Sequence, residues 1–113
     1  MLERDVDRRF TFGLKRLGLT SIKLTSFGPR GVSGWPDRLV LGPHGVAVFV
    51  ELKAPGGKAS TLQTTRHETL RGLGFQCGTF DDADAAIAFV ADQIEHHILM
   101  DYDPTPRGRR CKR

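Results

Sequence analysis

The alternation of apolar and polar positions divides the chain into seven elements. Val6, Phe10, Leu14 and Leu17 recur at helical spacing and predict a helix over residues 2–18, closed by Gly18. Residues 21–27 alternate and predict a first strand, with Ile22, Leu24 and Ser26 on one face and Lys23, Thr25 and Phe27 on the other. A loop rich in glycine and proline covers residues 28–36. The apolar runs Leu39-Val40-Leu41 and Val46-Ala47-Val48-Phe49-Val50 flank Gly42-Pro43-His44-Gly45, which is a strand, tight turn, strand signature. Ser60 opens a second helix, with Leu62, Arg66, Thr69, Leu70 and Leu73 on one face, ending at residues 72–74. Residues 75–80 form a short strand that follows a strand and a helix, so it is predicted to run parallel to residues 46–53. Asp81 or Asp82 caps the third helix, whose inner stripe is Ile87, Val90, Ala91, Ile94 and Ile98. Phe89, Leu99 and Met100 lie off that stripe, where they cover a second subunit or cap the core edge.

The order α-β-β-β-α-β-α predicts an α/β fold with a small mixed sheet flanked by helices. At 113 residues the chain is large enough for one core but not two. The domain is expected over residues 1–103. Residues 104–113 hold two prolines, a glycine and five basic residues, and predict a disordered tail. No apolar run reaches membrane-spanning length. Cys77 and Cys111 have no zinc or disulfide-framework spacing, so a reduced cytoplasmic setting is expected.

The net charge of +4 is unevenly spread. Residues 1–71 carry 12 Lys and Arg against 6 Asp and Glu, while residues 72–103 carry 7 acidic residues and no Lys or Arg. Positive charge therefore lies with the hairpin and the tail, which suits a polyanionic partner.

Polar residues stand at the outer ends of the predicted hairpin: Asp37, Glu51 and Lys53. Residues two apart on a strand share a face, which puts Glu51 beside Lys53. A three-residue loop at residues 43–45, with Gly45 left-handed, places Asp37 opposite Glu51; a four-residue loop turns Asp37 to the other face. Two neighbouring carboxylates repel unless a positive charge stands between them. Lys53 supplies one, and a hard divalent cation such as Mg2+ or Mn2+ would supply more. Glu3 falls within the apolar stripe of the first helix, where it either needs a partner such as a metal site or sits in a frayed first turn favoured by the helix dipole. Ser60-Thr61-Leu62-Gln63 is a capping box, which accounts for Gln63 structurally. In the loops, Arg30 and Lys58 suit phosphate, and Trp35 either stacks on a base or packs as a lid on helix one.

The set Gly34-Trp35-Pro36-Asp37, Glu51-Leu52-Lys53 and Gln63, with Glu3 upstream, resembles the VRR-NUC family of the PD-(D/E)xK nucleases over residues 1–94. Trp35 departs from the small aliphatic residue expected before Pro-Asp. The resemblance implies a restriction-endonuclease-like core. It implies metal-dependent hydrolysis of DNA phosphodiesters, with Mg2+ or Mn2+ held by Asp37, Glu51, the Leu52 carbonyl and Glu3. Lys53 would then position the attacking water, and Gln63 would touch the scissile phosphate or its water. One amide serving both the helix cap and the site looks like a competition. Stand-alone members resemble Holliday-junction resolvases, so branched DNA and a homodimer are expected, in the host cytoplasm if the chain is phage-encoded. Arg107, Arg109 and Arg110 of the tail would add sequence-independent affinity. The rival expectation is a non-catalytic DNA-binding module on the same fold.

Overall fold

The structure, a computed structural model, describes residues 1–24 and 34–100, with side chains through residue 96. Its elements are α1 (Glu3–Arg16), β1 (Thr20–Lys23), β2 (Arg38–Leu41), β3 (Ala47–Leu52), α2 (Thr61–Gly72), β4 (Gln76–Phe80) and α3 (Ala83–Met100). The four strands form one mixed sheet in the order β1-β2-β3-β4. The first three pair antiparallel, and β4 runs parallel to β3 as expected. Expectation and structure agree on the order of helices and strands.

The β2–β3 turn sets the register. Gly42 N–H donates to the Val46 carbonyl at 3.0 Å and encloses Pro43-His44-Gly45. Both His44 (φ 62°) and Gly45 (φ 77°) are left-handed, a conformation that glycine adopts without a Cβ penalty. The three-residue loop pairs Arg38 with Val50 and Val40 with Val48. One step outward, Asp37 falls opposite Glu51.

Strand alternation then separates two chemistries. Val48, Val50 and Leu52 are fully buried with Val40 beneath Val6, Phe10 and Leu14 of α1 and Ala83, Ala86 and Val90 of α3. Each such apolar side chain contributes about 1.5–3 kcal/mol on burial. The opposite face carries Glu51 and Thr79, and α2 covers it there with His67 and Leu70 buried.

Several boundaries and faces differ from expectation. Helix α1 stops at Arg16, so Leu17 lies outside the stripe and is exposed. Strand β1 begins at Thr20 and ends at Lys23; residues 25–33 lie outside the described residues. On α2, Leu62 and Leu73 are exposed, because the face toward the sheet is Gln63, His67 and Leu70 at i, i+4 and i+7. On α3, Ala91 is exposed and the buried positions are Ala83, Ala86 and Val90. Phe89 does not face water as a free interface group. It packs against the core, with its ring 5.0 Å from that of Phe80. The side chains of Ile98, Leu99 and Met100, and the whole 104–113 tail, lie outside the described residues.

Candidate active site

The entry into β2 is pressed onto α2. Gly34 is left-handed (φ 89°), and a Cβ there would sit 2.7 Å from Leu62 Cγ and 3.1 Å from Arg66 Cγ. Only glycine fits such an approach at that φ. Trp35 stacks beneath the Arg66 guanidinium, 4.8 Å from ring centroid to Cζ, so its lid contact is with α2 rather than helix one. Pro36 is fully buried. Asp37 follows and is tied twice: its carbonyl accepts from Leu24 N–H at 2.7 Å, and its Oδ2 accepts from Leu52 N–H at 3.0 Å. Its neighbour Arg38 points to the other face and makes a bidentate pair with Asp7 of α1 at 2.9 and 2.8 Å. That two-point clamp fixes the strand end carrying Asp37.

Glu51 is 1% exposed, at the end of β3. Its Oε2 accepts from Gln63 Nε2 at 3.1 Å and lies 3.3 Å from Lys53 Nζ. Its Oε1 is buried without a partner. Burial above all, and then the charge of Asp37, push the Glu51 carboxyl up to about 7 against the pull of Lys53. Lys53 is held by its own backbone, whose N–H donates to the Phe80 carbonyl at 2.8 Å, and its side chain retains 17% exposure. The cluster is thus closed toward α2 and open toward Lys53.

Gln63 serves both expected roles, because an amide has two ends. Its Oε1 accepts from Ser60 N–H at 2.8 Å while Ser60 Oγ accepts from Gln63 N–H at 3.1 Å, completing the capping box. Its Nε2 is left to donate to Glu51. One turn further along α2 stands His67, which sequence reasoning missed. It is 2% exposed, its Nδ1 lies 3.3 Å from Thr79 Oγ1, and its Nε2 lies 3.9 Å from Glu51 Oε1. Burial first, then the charges of Arg71 and Lys53, hold His67 below its ordinary value. The spacing Gln63, His67, Leu70 was the available signal, hidden by a search for apolar residues alone.

Glu3 is exposed rather than aimed into the core, so it needs no buried partner. It lines a shallow cavity of about 290 Å³ with Arg4, Asp7, Lys23, Asp37, Arg38 and Leu52. A second cavity, about 800 Å³, lies at the hairpin end of the sheet, among residues such as Leu17, Leu41 and Ile94, and holds none of these groups. Lys58 is exposed on the β3–α2 connection. Arg30, Arg107, Arg109 and Arg110 lie outside the described residues.

The residues present fit a hard divalent cation. Among the described residues no three His, Cys, Asp or Glu side chains converge at ligand spacing. What does converge is two carboxylates on paired strands, with the Leu52 backbone bonded to one of them. Oxygen donors of this kind suit Mg2+ or Mn2+. Two neighbouring carboxylates repel each other, and a cation between them offsets that repulsion.

A mixed sheet flanked by helices, with one carboxylate from each arm of a hairpin meeting at its end, defines a restriction-endonuclease-like domain. No protein-family model matches the chain. A phage protein named "Putative nuclease p44", from Acyrthosiphon pisum secondary endosymbiont phage 1, is 38% identical over 82 residues, spanning 73% of this chain and 85% of its own. A solved structure described as "VRR_NUC domain" superposes with a TM-score of 0.64 at 31% identity, covering 84% of this chain and 96% of that one. A second, "VRR_NUC domain protein", superposes with a TM-score of 0.61 at 19% identity over 84% of this chain and 89% of that one, and bears on the fold alone. The chain belongs to the VRR-NUC nuclease family.

Proposed function

We propose that this chain is a Mg2+- or Mn2+-dependent endonuclease that hydrolyses phosphodiester bonds in branched DNA. The observation that carries this reading is the buried Glu51 carboxylate, set opposite Asp37 on the paired strand and beside Lys53. Asp37, Glu51 and the Leu52 carbonyl would hold the cation, and Glu3, which lines a cavity with Asp37 and Leu52, would act through water. When bound, the cation lowers the pKa of a water and neutralises phosphate oxygens. Lys53 Nζ orients the attacking water and offsets charge developing on the phosphate. Gln63 holds Glu51 Oε2 in place from its helix cap. Arg30, Lys58 and the tail arginines Arg107, Arg109 and Arg110 contact backbone phosphates, and Trp35, backed by Arg66, offers a stacking surface. Nothing in this set reads base edges, so recognition rests on DNA shape.

Resolving a junction needs two cuts, and a two-fold dimer supplies two sites by symmetry. Phe89 is engaged with Phe80 at the core edge. The test is cleavage of a labelled four-way junction, a flap and a linear duplex, with and without Mg2+ or Mn2+, alongside light scattering. Metal-dependent cuts in the branched substrates support the reading. Retained DNA binding with no cleavage under any metal would leave a binding module on the same fold.

A further inference from the structure

Two orphaned atoms face each other across the closed side of the site. Glu51 Oε1 and His67 Nε2 are both buried, neither has a hydrogen-bond partner, and they lie 3.9 Å apart. A buried polar group left unsatisfied is costly. With Glu51 ionised, as cation binding requires, one assignment of protons satisfies both. If the Thr79 hydroxyl donates to His67 Nδ1, the ring carries its proton on Nε2, aimed at the carboxylate. The opposite tautomer would turn two lone-pair-bearing atoms toward each other in a closed space. Closing the gap to hydrogen-bond length takes a shift of about 1 Å, within reach of a small carboxylate rotation.

We propose that His67 is a positioning residue for Glu51: its Nε2–H donates to Glu51 Oε1 and Thr79 fixes its tautomer, so the carboxylate is oriented for cation binding. The inference rests on the reading of Glu51 as a cation ligand and adds a residue to it. Glu51 is then held by three donors from two elements: Gln63 and His67 on α2, and Lys53 beyond β3. Neighbours that orient a ligand typically change metal affinity about 10- to 100-fold when removed.

Two measurements test it. In uniformly 15N-labelled, metal-free protein, at a pH above the Glu51 titration, long-range correlations within the imidazole ring report the tautomer, with the His67 signals assigned from the spectrum of His67→Gln. The Nε2–H form is expected, and the Nδ1–H form would overturn the proposal. Calorimetric titration with Mn2+ alone should show His67→Leu binding about 10- to 100-fold more weakly than wild type, with His67→Gln restoring most of the affinity through its own N–H donor. Wild-type affinity in a folded His67→Leu protein would overturn the proposal. If that variant does not fold, the wild-type tautomer decides. Failure of the underlying reading looks different: Glu51→Gln would bind Mn2+ as tightly as wild type, and the tautomer would still report whether His67 supports Glu51.

Discussion

At its end, strand β3 buries residues on both faces, and the two are chemically opposite. On one, Val48, Val50 and Leu52 are fully buried against α1 and α3. On the other, Glu51 is as buried as they are, and its neighbours are Gln63, Lys53, His67 and Thr79. The first face is stabilised by removing apolar area from water. The second keeps a carboxyl where its ionised form is disfavoured and meets part of that cost with hydrogen bonds. Period-two alternation allows one six-residue strand to carry both, because each side chain's neighbours are set by its face rather than by its position in sequence. The comparison teaches that burial alone does not identify the core. At Glu51 and His67, burial marks the candidate site.

The sharpest way to separate the faces is to exchange their failure modes. Asp37→Asn and Glu51→Gln should each abolish cleavage, while circular dichroism and thermal melting show the fold intact. Glu51→Gln should also leave the metal-free protein at least as stable as wild type, since a buried like-charge repulsion is removed. Leu14→Ala on the other face should behave in reverse. Its cavity should cost about 2–5 kcal/mol of stability, with cleavage per folded molecule retained. Undiminished cleavage by the Asp37→Asn, Glu51→Gln double variant would falsify the assignment of the pair to chemistry.

Next in size is Lys53, which belongs to the polar face but stands at its open edge. Lys53→Ala should bind Mn2+ and yet turn over roughly 10²–10³-fold more slowly at saturating metal, as when one transition-state stabiliser is lost. Turnover within a few-fold of wild type would move Lys53 from the mechanism to the supporting structure.

The two faces were unequally legible in sequence. The apolar face announces itself, because Val6, Phe10 and Leu14 at helical spacing and valines at alternate positions have few alternatives. The register was legible too, through Pro43-His44-Gly45, whose length decides whether Asp37 meets Glu51. The polar face was only half visible. Asp37, Glu51 and Lys53 are conspicuous as charges ending an apolar run. His67 is not, because a histidine on a helix otherwise full of Thr, Arg and Glu reads as surface until the sheet is in place. Gln63 was seen in both roles, and the apparent conflict came from treating an amide as one group when its oxygen and nitrogen bond independently. Of the two roles open to Phe89, the core-edge one holds, because the covered stripe of α3 extends far enough for it to reach Phe80.

Proton linkage sharpens the contrast without altering an apolar residue. Glu51 titrates near 7 when folded and near its ordinary 4.5 when unfolded. The native state therefore binds this proton more tightly, so the contribution to stability is fully present below about pH 4.5 and lost as pH rises through about 7. The size is about 3 kcal/mol at roughly 1.4 kcal/mol per unit. His67 acts in the opposite direction: its value is lowered on folding, so stability falls as pH drops below its ordinary 6.5. Denaturant melts of metal-free protein should accordingly be compared between wild type and Glu51→Gln, which removes only the first contribution. The difference between them should grow with pH from 4.5 to 7, and a pH-independent difference would show that Glu51 is not strained by burial. Added Mn2+ should shrink the difference at neutral pH by stabilising the ionised form.

The smallest effect isolates the two ends of one side chain. Ser60→Ala removes the hydroxyl that accepts from Gln63 N–H, and loss of such a cap costs about 1 kcal/mol of stability. It leaves Gln63 Nε2 free to reach Glu51, so cleavage should change little. Gln63→Glu does the converse. A glutamate at the same position still accepts from Ser60 N–H, which preserves the capping box. It replaces the Nε2 donor with an oxygen facing the Glu51 carboxylate, so one hydrogen bond becomes a repulsion. Stability of the helix should hold, while cleavage should fall about tenfold, the size of one hydrogen bond to a charged group. The decisive reading is the ratio of the two effects in each variant, taken from melting midpoint and single-turnover rate together. If Ser60→Ala and Gln63→Glu reduce both quantities in the same proportion, the cap and the site are one mechanical unit, and α2 carries Gln63 to Glu51 only when its first turn is intact.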